Sequence, residues 1–222
     1  MPAALVFDFD GLIVDTETVE YESARRVYAD HGVDLPIERW LPIVGAARGW
    51  DWMGGLEEAV GHALDRAALL AGRRRAGAEL LADAPILPGV VALLDDARAA
   101  GVPCAVASNS PAAWVESHLD RLGLTDRFDA VVTVDRVTRG KPDPEPYLLA
   151  VAAVGASPAA AVALEDSEIG VAAATTAGLY TVAVPGPMSV RHDVTAADLV
   201  VASLEDVDLA ALGASVHARF GA

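Results

Sequence analysis

Two carboxylates stand one residue apart at the end of an apolar run, in the segment Ala4-Leu-Val-Phe-Asp8-Phe-Asp10-Gly11. Burying an uncompensated carboxylate is costly or forces it to take up a proton, so the pair needs a cation nearby. Asp8 and Asp10 can share one ion if the chain turns after Phe9, which Gly11 permits. A hard dication held by one carboxylate oxygen and a backbone carbonyl suits that geometry. The alternative for this pair alone is an acidic junction between a strand and a loop.

The composition limits the classes of protein that this chain can belong to. Its 222 residues, 53% of them hydrophobic, suffice for one domain with an insertion or for two small domains. A net charge of −16 would repel a phosphate polyanion, so we expect no nucleic-acid partner. The single Cys104 excludes an internal disulfide, and no apolar run reaches the ~18 residues needed to span a bilayer. With no targeting pattern at the start, we expect a cytoplasmic monomer without a membrane partner.

Short apolar strands alternate with helices from residue 85 onward, which predicts an α/β fold with a parallel sheet flanked by helices. The first strand joins this sheet, because a lone strand cannot pair with itself. Residues 16–83 contain only helical pieces, so we predict a helical domain inserted into a core formed by 1–15 and 84–222. The predicted strands cover 5–9, 104–107, 130–134, 161–164, 181–184 and 199–201. The predicted helices cover 16–31, 37–43, 51–60, 65–82, 88–100, 111–122, 146–154, 169–177 and 205–218.

Polar residues follow each of the first four predicted strands. Ligands of an open parallel sheet bind outside the carboxyl ends of its strands, so these groups should face one crevice although they are far apart in sequence. Taken singly, each has a structural explanation, as a helix cap or as a solvated loop lysine. Their common placement favours a functional site. The residues are Asp8 and Asp10, then Ser108, Asn109 and Ser110, then Lys141, and finally Glu165, Asp166 and Ser167.

These motifs resemble those of the haloacid dehalogenase superfamily of aspartate-nucleophile phosphotransferases. The resemblance covers the whole chain and includes the helical insertion, as in the branch of β-phosphoglucomutase-like proteins and small phosphatases. It implies a Rossmann-like core with a helical cap. The matching residues are Asp8-Phe9-Asp10-Gly11, Ser108, Lys141 before Pro142, and Glu165-Asp166 followed by Ser167, Gly170 and Ala177-Gly178.

The resemblance also implies a role for each site residue. Asp8 would attack phosphorus and become an aspartyl phosphate, while Asp10 would protonate the leaving alkoxide and later activate water. Lys141 and a Mg²⁺ ion would offset the charge between Asp8 and the phosphate. Asp8, the carbonyl of Asp10 and Asp166 would bind Mg²⁺, with Glu165 either a ligand or an acceptor behind the ligands. Ser108, Asn109 and the backbone amides of Phe9 and Gly11 would bind the phosphate oxygens.

The inserted helices should select the leaving group, with Glu17 and Arg48 as candidate substrate-binding residues. The segment Gly45-Ala-Ala-Arg48 resembles the cap loop of β-phosphoglucomutases, in which an arginine binds the distal phosphate. The His and Trp that those mutases carry on the first cap helix are absent from the stretch between Thr18 and Ala24. We therefore expect a phosphatase acting on a small phosphorylated metabolite, such as a sugar or polyol phosphate, with a sugar phosphomutase as the alternative.

Two further alternatives fit the motifs less well. A haloacid dehalogenase needs no metal, and the acidic residues Asp10, Glu165 and Asp166 argue against it. A non-catalytic binding module would be expected to have lost Asp8 or Lys141. Within the inserted helices, we interpret Trp50 and Trp52 as core residues and Arg73-Arg74-Arg75 as a solvated helix face.

Overall fold

The computed structural model describes residues 1–41 and 50–221. Within them the chain forms two compact units, one made of 1–14, 85–186 and 192–221 and the other of 15–41, 50–84 and 187–191. The short segment 187–191 is an addition that the sequence pattern did not indicate. In the part of the chain described here, no helix is both long enough and apolar enough to cross a membrane.

In the first unit strands and helices largely alternate, as expected of an α/β protein, while the second unit contains helices α1 to α4. The strands are β1 (Ala4–Phe7), β2 (Cys104–Ala107), β3 (Ala130–Val132), β4 (Ala161–Glu165), β5 (Tyr180–Ala183) and β6 (Leu199–Val200). The first helices are α1 (Thr16–Asp30), α2 (Ile37–Trp40), α3 (Trp52–Val60) and α4 (Arg66–Ala82). The later helices are α5 (Val90–Ala100), α6 (Ala112–Arg121), α7 (Glu145–Ala153), α8 (Glu168–Thr176) and α9 (Leu209–Phe220).

The first unit contains a parallel sheet with the strand order β3-β2-β1-β4-β5-β6, which confirms the predicted α/β class. Strands β1, β2, β4 and β5 are buried along their whole length, as their continuous apolar sequences require of parallel strands covered on both faces. Strands β2 and β3 lie on one side of β1, and the later strands β4, β5 and β6 lie on its other side. The carboxyl ends of β1 and β4 therefore form the switch point at which α/β proteins bind ligands.

Several predicted boundaries differ from the structure by a few residues, each for a local reason. Strand β1 ends at Phe7 because the chain turns at Asp10, which bridges to Val14. Strand β3 ends at Val132 because a short 3-10 turn follows from residue 134. Helix α9 begins at 209, later than predicted. The carboxylate of Asp208 accepts a hydrogen bond from the amide of Ala211 and caps the helix at that point.

The second unit is helical and has its own apolar core. Asp15 caps α1 by accepting from the amide of Thr18 at 2.9 Å. Trp52 is buried in this core, as expected, and its carbonyl accepts from the Tyr28 hydroxyl at 2.7 Å. The core consists of Tyr21, Ala24, Val27, Tyr28, Leu35, Trp40, Trp52, Leu56, Leu69 and Met188, with Trp50 packed against it.

Arg73 departs from the solvated helix face that was expected of residues 73–75. Its guanidinium lies over the rings of Trp40 and Trp52, 5.4 and 5.5 Å from their centres. The same group pairs with the carboxylate of Glu20. Arg74, the next residue, is exposed as expected. Arg73 therefore belongs to the packing of the helical unit.

Candidate active site

The candidate site lies at the carboxyl ends of β1 and β4. Phe7 and Leu164 are partners across these strands, so the next residues, Asp8 and Glu165, stand side by side. The Asp8 amide donates to the Leu164 carbonyl at 2.9 Å, which fixes the backbone of Asp8 although the strand has ended. The sheet thereby places two carboxylates from distant parts of the sequence at one point.

The ammonium group of Lys141 joins these two carboxylates. Its Nζ lies 2.5 Å from Oδ1 of Asp8 and 2.5 Å from Oε1 of Glu165. It also donates to the Tyr147 hydroxyl at 3.3 Å and sits 4.8 Å from the centre of the tyrosine ring. Only 3% of the Lys141 side chain is exposed. A buried cation of this kind is stable only because charged acceptors surround it.

Glu165 is completely buried and is held by five donors. Its Oε1 accepts from Lys141 and, at 2.6 Å, from the hydroxyl of Tyr147. Its Oε2 accepts from the amides of Asp166 and Ser167 and from the Ser167 hydroxyl, at 3.0 to 3.2 Å. A carboxylate has about four acceptor sites, so these donors use the capacity of Glu165. Of the two roles left open for Glu165, the geometry favours that of an acceptor that orients Lys141.

Two glycines allow the acidic groups to approach this closely. A Cβ atom at Gly170 would lie 1.8 Å from Oε1 of Glu165, which is impossible without displacement of the carboxylate. A Cβ atom at Gly11 would lie 2.3 Å from Oδ2 of Asp166, and Gly11 also has a φ of +86°. The glycines of both motifs are therefore explained by the space that the site carboxylates occupy.

Burial and charge oppose each other in the pKa values of the central pair. Burial raises the pKa of Asp8 to about 8, although Lys141 acts to lower it. Burial alone would lower the pKa of Lys141, but the carboxylates of Asp8 and Glu165 raise it above its ordinary value. Lys141 is thus a permanent cation, whereas the Asp8 carboxyl group needs more positive charge beside it to remain ionised at neutral pH.

The acidic cluster has the donor atoms and the charge that suit a divalent cation. Asp8, Glu165 and Asp166 each offer a carboxylate oxygen, and these atoms lie within 4.8 Å of one another. Among the described residues of the site, Lys141 pairs with Asp8 and Glu165, while Asp10 and Asp166 add two further carboxyl groups nearby, so acidic groups outnumber the one ammonium. Hard oxygen ligands and excess negative charge are what Mg²⁺ prefers. The residues present therefore fit such an ion.

Both carboxylate oxygens of Asp10 accept hydrogen bonds. The indole Nε1 of Trp114 donates to Oδ1 at 2.9 Å, and the Ser110 hydroxyl donates to Oδ2 at 2.6 Å. The Ser108 hydroxyl is 3.5 Å from Oδ2, at the limit of a hydrogen bond. Asp10 is thus oriented by side chains that follow β2, whereas the Asp8 side chain is held by Lys141, which precedes α7.

Asn109 contacts the backbone of Lys141. Its Oδ1 accepts from the Lys141 amide at 2.7 Å, and its Nδ2 donates to the Lys141 carbonyl at 3.1 Å. Both ends of the carboxamide are therefore engaged by one residue. This arrangement gives Asn109 a role in positioning Lys141, and the phosphate contact expected of Asn109 stays a prediction.

The structure brings most of the expected site residues together but gives several of them different surroundings. The ring of Phe9 is buried and lies edge-on to His118, with ring centres 6.2 Å apart. The Gly11 amide donates to the Val14 carbonyl at 2.8 Å and so closes the turn. Glu17 lies in the first turn of α1, in the second unit. Arg48 lies outside the described residues. The residues that converge are Asp8, Asp10, Ser108, Asn109, Lys141, Glu165 and Asp166.

Tyr147 and Trp114 are the site residues that sequence reasoning missed. Tyr147 is fully buried, and burial followed by the charge of Glu165 raises the pKa of its hydroxyl well above the ordinary value. Its position in the first turn of α7, shortly after Lys141, could have indicated from the sequence that it lies near the site. Trp114 is similarly placed in the first turn of α6, four residues after Ser110. An aromatic side chain with a polar tip directly after a strand-end motif can reach that motif.

Comparison with known proteins identifies the family and several relatives. YhcW of Bacillus subtilis (strain 168) is 42% identical over 189 residues, 85% of this chain and 86% of that protein. The fructose-1-phosphate phosphatase YqaB of Escherichia coli (strain K12) is 34% identical over 81% of this chain and 95% of its own length. The β-phosphoglucomutase of Bacillus subtilis (strain 168) is 31% identical over 93% of this chain and 92% of its own length.

A similar fold occurs in a crystal structure of a haloacid dehalogenase (HAD) family hydrolase from Deinococcus radiodurans R1 with bound phosphate and sodium. The two chains have a TM-score of 0.79 and 26% sequence identity, with 96% of each chain covered. The sequence-family model of the haloacid dehalogenase-like hydrolases matches residues 2–178 of this chain, which is well over half of the sequence. The chain therefore belongs to the haloacid dehalogenase-like hydrolase family.

Proposed function

We propose that the protein is a Mg²⁺-dependent phosphatase that hydrolyses small phosphomonoesters through an aspartyl phosphate on Asp8. The observation that carries this proposal is the buried Lys141 ammonium, which joins Asp8 to Glu165 beside Asp166. The name of the relative YqaB, a fructose-1-phosphate phosphatase, supports sugar or polyol phosphates as the substrate class.

The first half of the reaction transfers the phosphoryl group to the protein. The carboxylate of Asp8 forms a bond to phosphorus while the bond from phosphorus to the alcohol oxygen breaks. Asp10 gives its proton to that leaving oxygen, so an alcohol is released instead of an alkoxide. Lys141 remains charged throughout and offsets the repulsion between the Asp8 carboxylate and the phosphate.

The second half returns the protein to its starting state. A water molecule gives a proton to the Asp10 carboxylate and attacks phosphorus, and the bond between phosphorus and Asp8 breaks. Inorganic phosphate leaves, Asp8 is again a carboxylate, and Asp10 has regained the proton that it donated. Ser108, whose amide is fixed to the Val132 carbonyl at 2.9 Å, would bind phosphate oxygens at this edge of the sheet.

The divalent ion would be held by Asp8, Asp166 and the backbone carbonyl of Asp10. When bound, Mg²⁺ supplies positive charge that offsets the negative charge of the attacking carboxylate and of the phosphate. Glu165 would contribute indirectly, because its oxygens are engaged by Lys141, Tyr147 and the start of α8. The same ion would keep Asp8 ionised despite its burial.

A screen of sugar and polyol phosphates, with Mg²⁺ and with EDTA, tests this function directly. We expect phosphate release that needs Mg²⁺ and that falls below detection in Asp8→Asn, which keeps the shape but removes the nucleophile. Asp96→Asn, at an exposed position on α5, is the matched control and should retain full activity. Folded wild type that releases no phosphate, or an active Asp8→Asn variant, would refute the proposal.

A sugar phosphomutase that uses the same chemistry is the second candidate, favoured by the similarity to a β-phosphoglucomutase. Its second half would pass the phosphoryl group to another sugar hydroxyl instead of water. The stretch of α1 between Thr18 and Ala24 carries neither the His nor the Trp of β-phosphoglucomutases, which favours the phosphatase. Conversion of a hexose 1-phosphate to the 6-phosphate after priming with a hexose bisphosphate would support the mutase.

A further inference from the structure

The Asp10 carboxylate is held by two donors of different chemistry. Trp114 donates to Oδ1 from an indole N–H, a group that can only donate. Ser110 donates to Oδ2 from a hydroxyl, a group that can also accept. With one donor on each oxygen, the carboxylate cannot rotate about its Cβ–Cγ bond without losing both hydrogen bonds. The two partners therefore fix the plane of the carboxylate as well as its position.

Trp114 is itself held in place by its own helix. The rings of Trp114 and His118, one turn apart on α6, have their centres 4.2 Å apart. The His118 Nδ1 lies 2.8 Å from the Trp114 carbonyl, and the Trp114 amide donates to the Pro111 carbonyl at 3.0 Å. The start of the helix is anchored in turn, because the Ala112 amide donates to a carboxylate oxygen of Asp135 at 2.6 Å. The indole N–H is thus presented to Asp10 by a rigid support.

We propose that Trp114 is a positioning residue for Asp10 and that it acts on catalysis through this one hydrogen bond. The inference rests on the proposed function, in which Asp10 exchanges a proton with the leaving oxygen and with water. Trp114 occupies Oδ1 and leaves Oδ2 towards Ser110, whose hydroxyl can turn from donor to acceptor. Oδ2 is then the oxygen at which the proton is held and from which it passes to the alcohol oxygen.

This role makes the contribution of Trp114 depend on the leaving group. An alkyl phosphate releases a strongly basic alkoxide and needs the proton from Asp10. The p-nitrophenyl ester releases a weakly basic phenolate and does not. The ratio kcat/KM covers only the steps up to release of the alcohol, so it isolates this proton transfer. A purely structural role of Trp114 would reduce kcat/KM for both substrates alike.

The test compares wild type with Trp114→Phe, which keeps an aromatic ring on His118 but removes the donor. We expect kcat/KM to fall roughly 10-fold for the alkyl phosphate that is turned over fastest, and less than about 2-fold for p-nitrophenyl phosphate. Ser117→Ala is the matched control on the same helix, because the Ser117 hydroxyl donates to the Trp114 carbonyl at 2.9 Å. It should leave both values unchanged. Equal losses for the two substrates, no loss, or a gain would overturn the inference.

A double-mutant cycle with Asp10→Asn gives a second, independent readout. If Trp114 acts through Asp10, adding Trp114→Phe to Asp10→Asn should cause no further loss of p-nitrophenyl phosphate or alkyl phosphate hydrolysis. Additive losses would overturn the inference. Should Trp114→Phe fail to fold, Trp114→Leu replaces it in both measurements. An unchanged substrate ratio in an otherwise active enzyme refutes only this inference, whereas wild type without phosphatase activity refutes the proposed function and the inference with it.

Discussion

Each of the two units of this protein shields one cationic side chain from water, and the contacts that stabilise the two side chains differ. In the first unit, Lys141 is surrounded by carboxylates and a hydroxyl that come from the ends of strands and the start of a helix. In the second unit, Arg73 lies against the faces of two tryptophans and pairs with one carboxylate, Glu20. The Lys141 side chain is 3% exposed and that of Arg73 is 17% exposed.

The pKa of Lys141 is raised, whereas that of Arg73 is lowered. This difference distinguishes a candidate reactive site from a packing contact. Two carboxylates raise the pKa of Lys141 in spite of its burial. Burial lowers the pKa of Arg73, with Glu17 acting against it. Arg73 lies over two aromatic rings, whose faces suit a planar guanidinium, and pairs with one carboxylate. Charges that converge on a buried lysine require many donors and acceptors to be in place, and such clusters occur at functional sites.

Replacing Lys141 and Arg73 separately by methionine should show most clearly that the two residues have different roles. Lys141→Met is expected to lower kcat on the order of 10³-fold, because the charge that offsets phosphate and Asp8 is gone. It should also destabilise the fold by about 3 kcal/mol, since it leaves Glu165 buried without its cation. Arg73→Met should destabilise the helical unit but keep kcat within about 3-fold. Steady-state kinetics and urea unfolding measure both effects. Similar losses of kcat in the two variants would contradict the distinction.

The pH dependence of stability tests the balance of burial and charge around Asp8. Its pKa is raised to about 8 from an ordinary value of 3.8. A carboxyl group with a raised pKa stabilises the folded state below its unfolded pKa and loses that contribution as the pH rises through the folded value. In EDTA, wild type should therefore lose free energy of unfolding relative to Asp8→Asn between about pH 4 and pH 8. Urea unfolding of both proteins across this range measures the difference.

Mg²⁺ and a control variant sharpen this measurement. At pH 8, Mg²⁺ should stabilise wild type more than Asp8→Asn, because the carboxylate of Asp8 is an expected ligand. Asp96→Asn should follow wild type at every pH. If wild type instead gains stability relative to Asp8→Asn as the pH rises, the attraction of Lys141 outweighs the burial of Asp8.

The carboxamide of Asn109 should affect kcat only because it positions Lys141. Asn109→Ala removes both hydrogen bonds to the Lys141 backbone, and a displaced ammonium should lower kcat roughly 10-fold to 100-fold. Glu145→Gln is the matched control, because Glu145 accepts from the amides of Thr138 and Arg139 and so anchors the same loop away from Lys141. Kinetics on both variants should show a much smaller loss for Glu145→Gln. Equal losses would mean that the loop as a whole is what Asn109 supports.

The smallest expected effect concerns the shape of the guanidinium of Arg73. Arg73→Lys keeps the charge but loses the planar group over Trp40 and Trp52, and should cost about 1 kcal/mol of unfolding free energy. Arg74→Lys, at the exposed neighbouring position, should cost nothing measurable. A cost for Arg73→Lys no greater than that for Arg74→Lys would contradict the idea that the aromatic surfaces hold the side chain.

The parallel sheet and the position of the acidic cluster could be predicted because they follow from local patterns. Apolar strands that alternate with helices define the order of elements, and the carboxyl ends of parallel strands must share one edge. Asp8, Lys141 and Asp166 were therefore brought together correctly from the sequence. The family motifs added the roles, but they did not determine the hydrogen bonds.

The contacts of individual side chains could not be predicted, because they depend on rotamers and on partners from distant elements. Asn109 could equally have met a phosphate or a backbone, and the choice depends on how closely the Lys141 loop approaches β2. Glu165 could have been a metal ligand or an acceptor behind the ligands, and only its five donors in the structure favour the second role. Arg73 lies in a run of three arginines, and its contacts with Trp40, Trp52 and Glu20, which come from three other helices, could not be read from that run.

The most direct test of the central proposal is to find the phosphoryl group on Asp8 during turnover. Wild type and Asp10→Asn are mixed with Mg²⁺ and p-nitrophenyl phosphate, whose leaving group does not need the proton of Asp10, then quenched in acid, reduced with borohydride and analysed by peptide mass spectrometry. Reduction converts an aspartyl phosphate to homoserine, so we expect homoserine at position 8, in larger amount in Asp10→Asn and absent in EDTA. Turnover that leaves position 8 as aspartate, with the modification at another carboxylate or at none, would contradict the account.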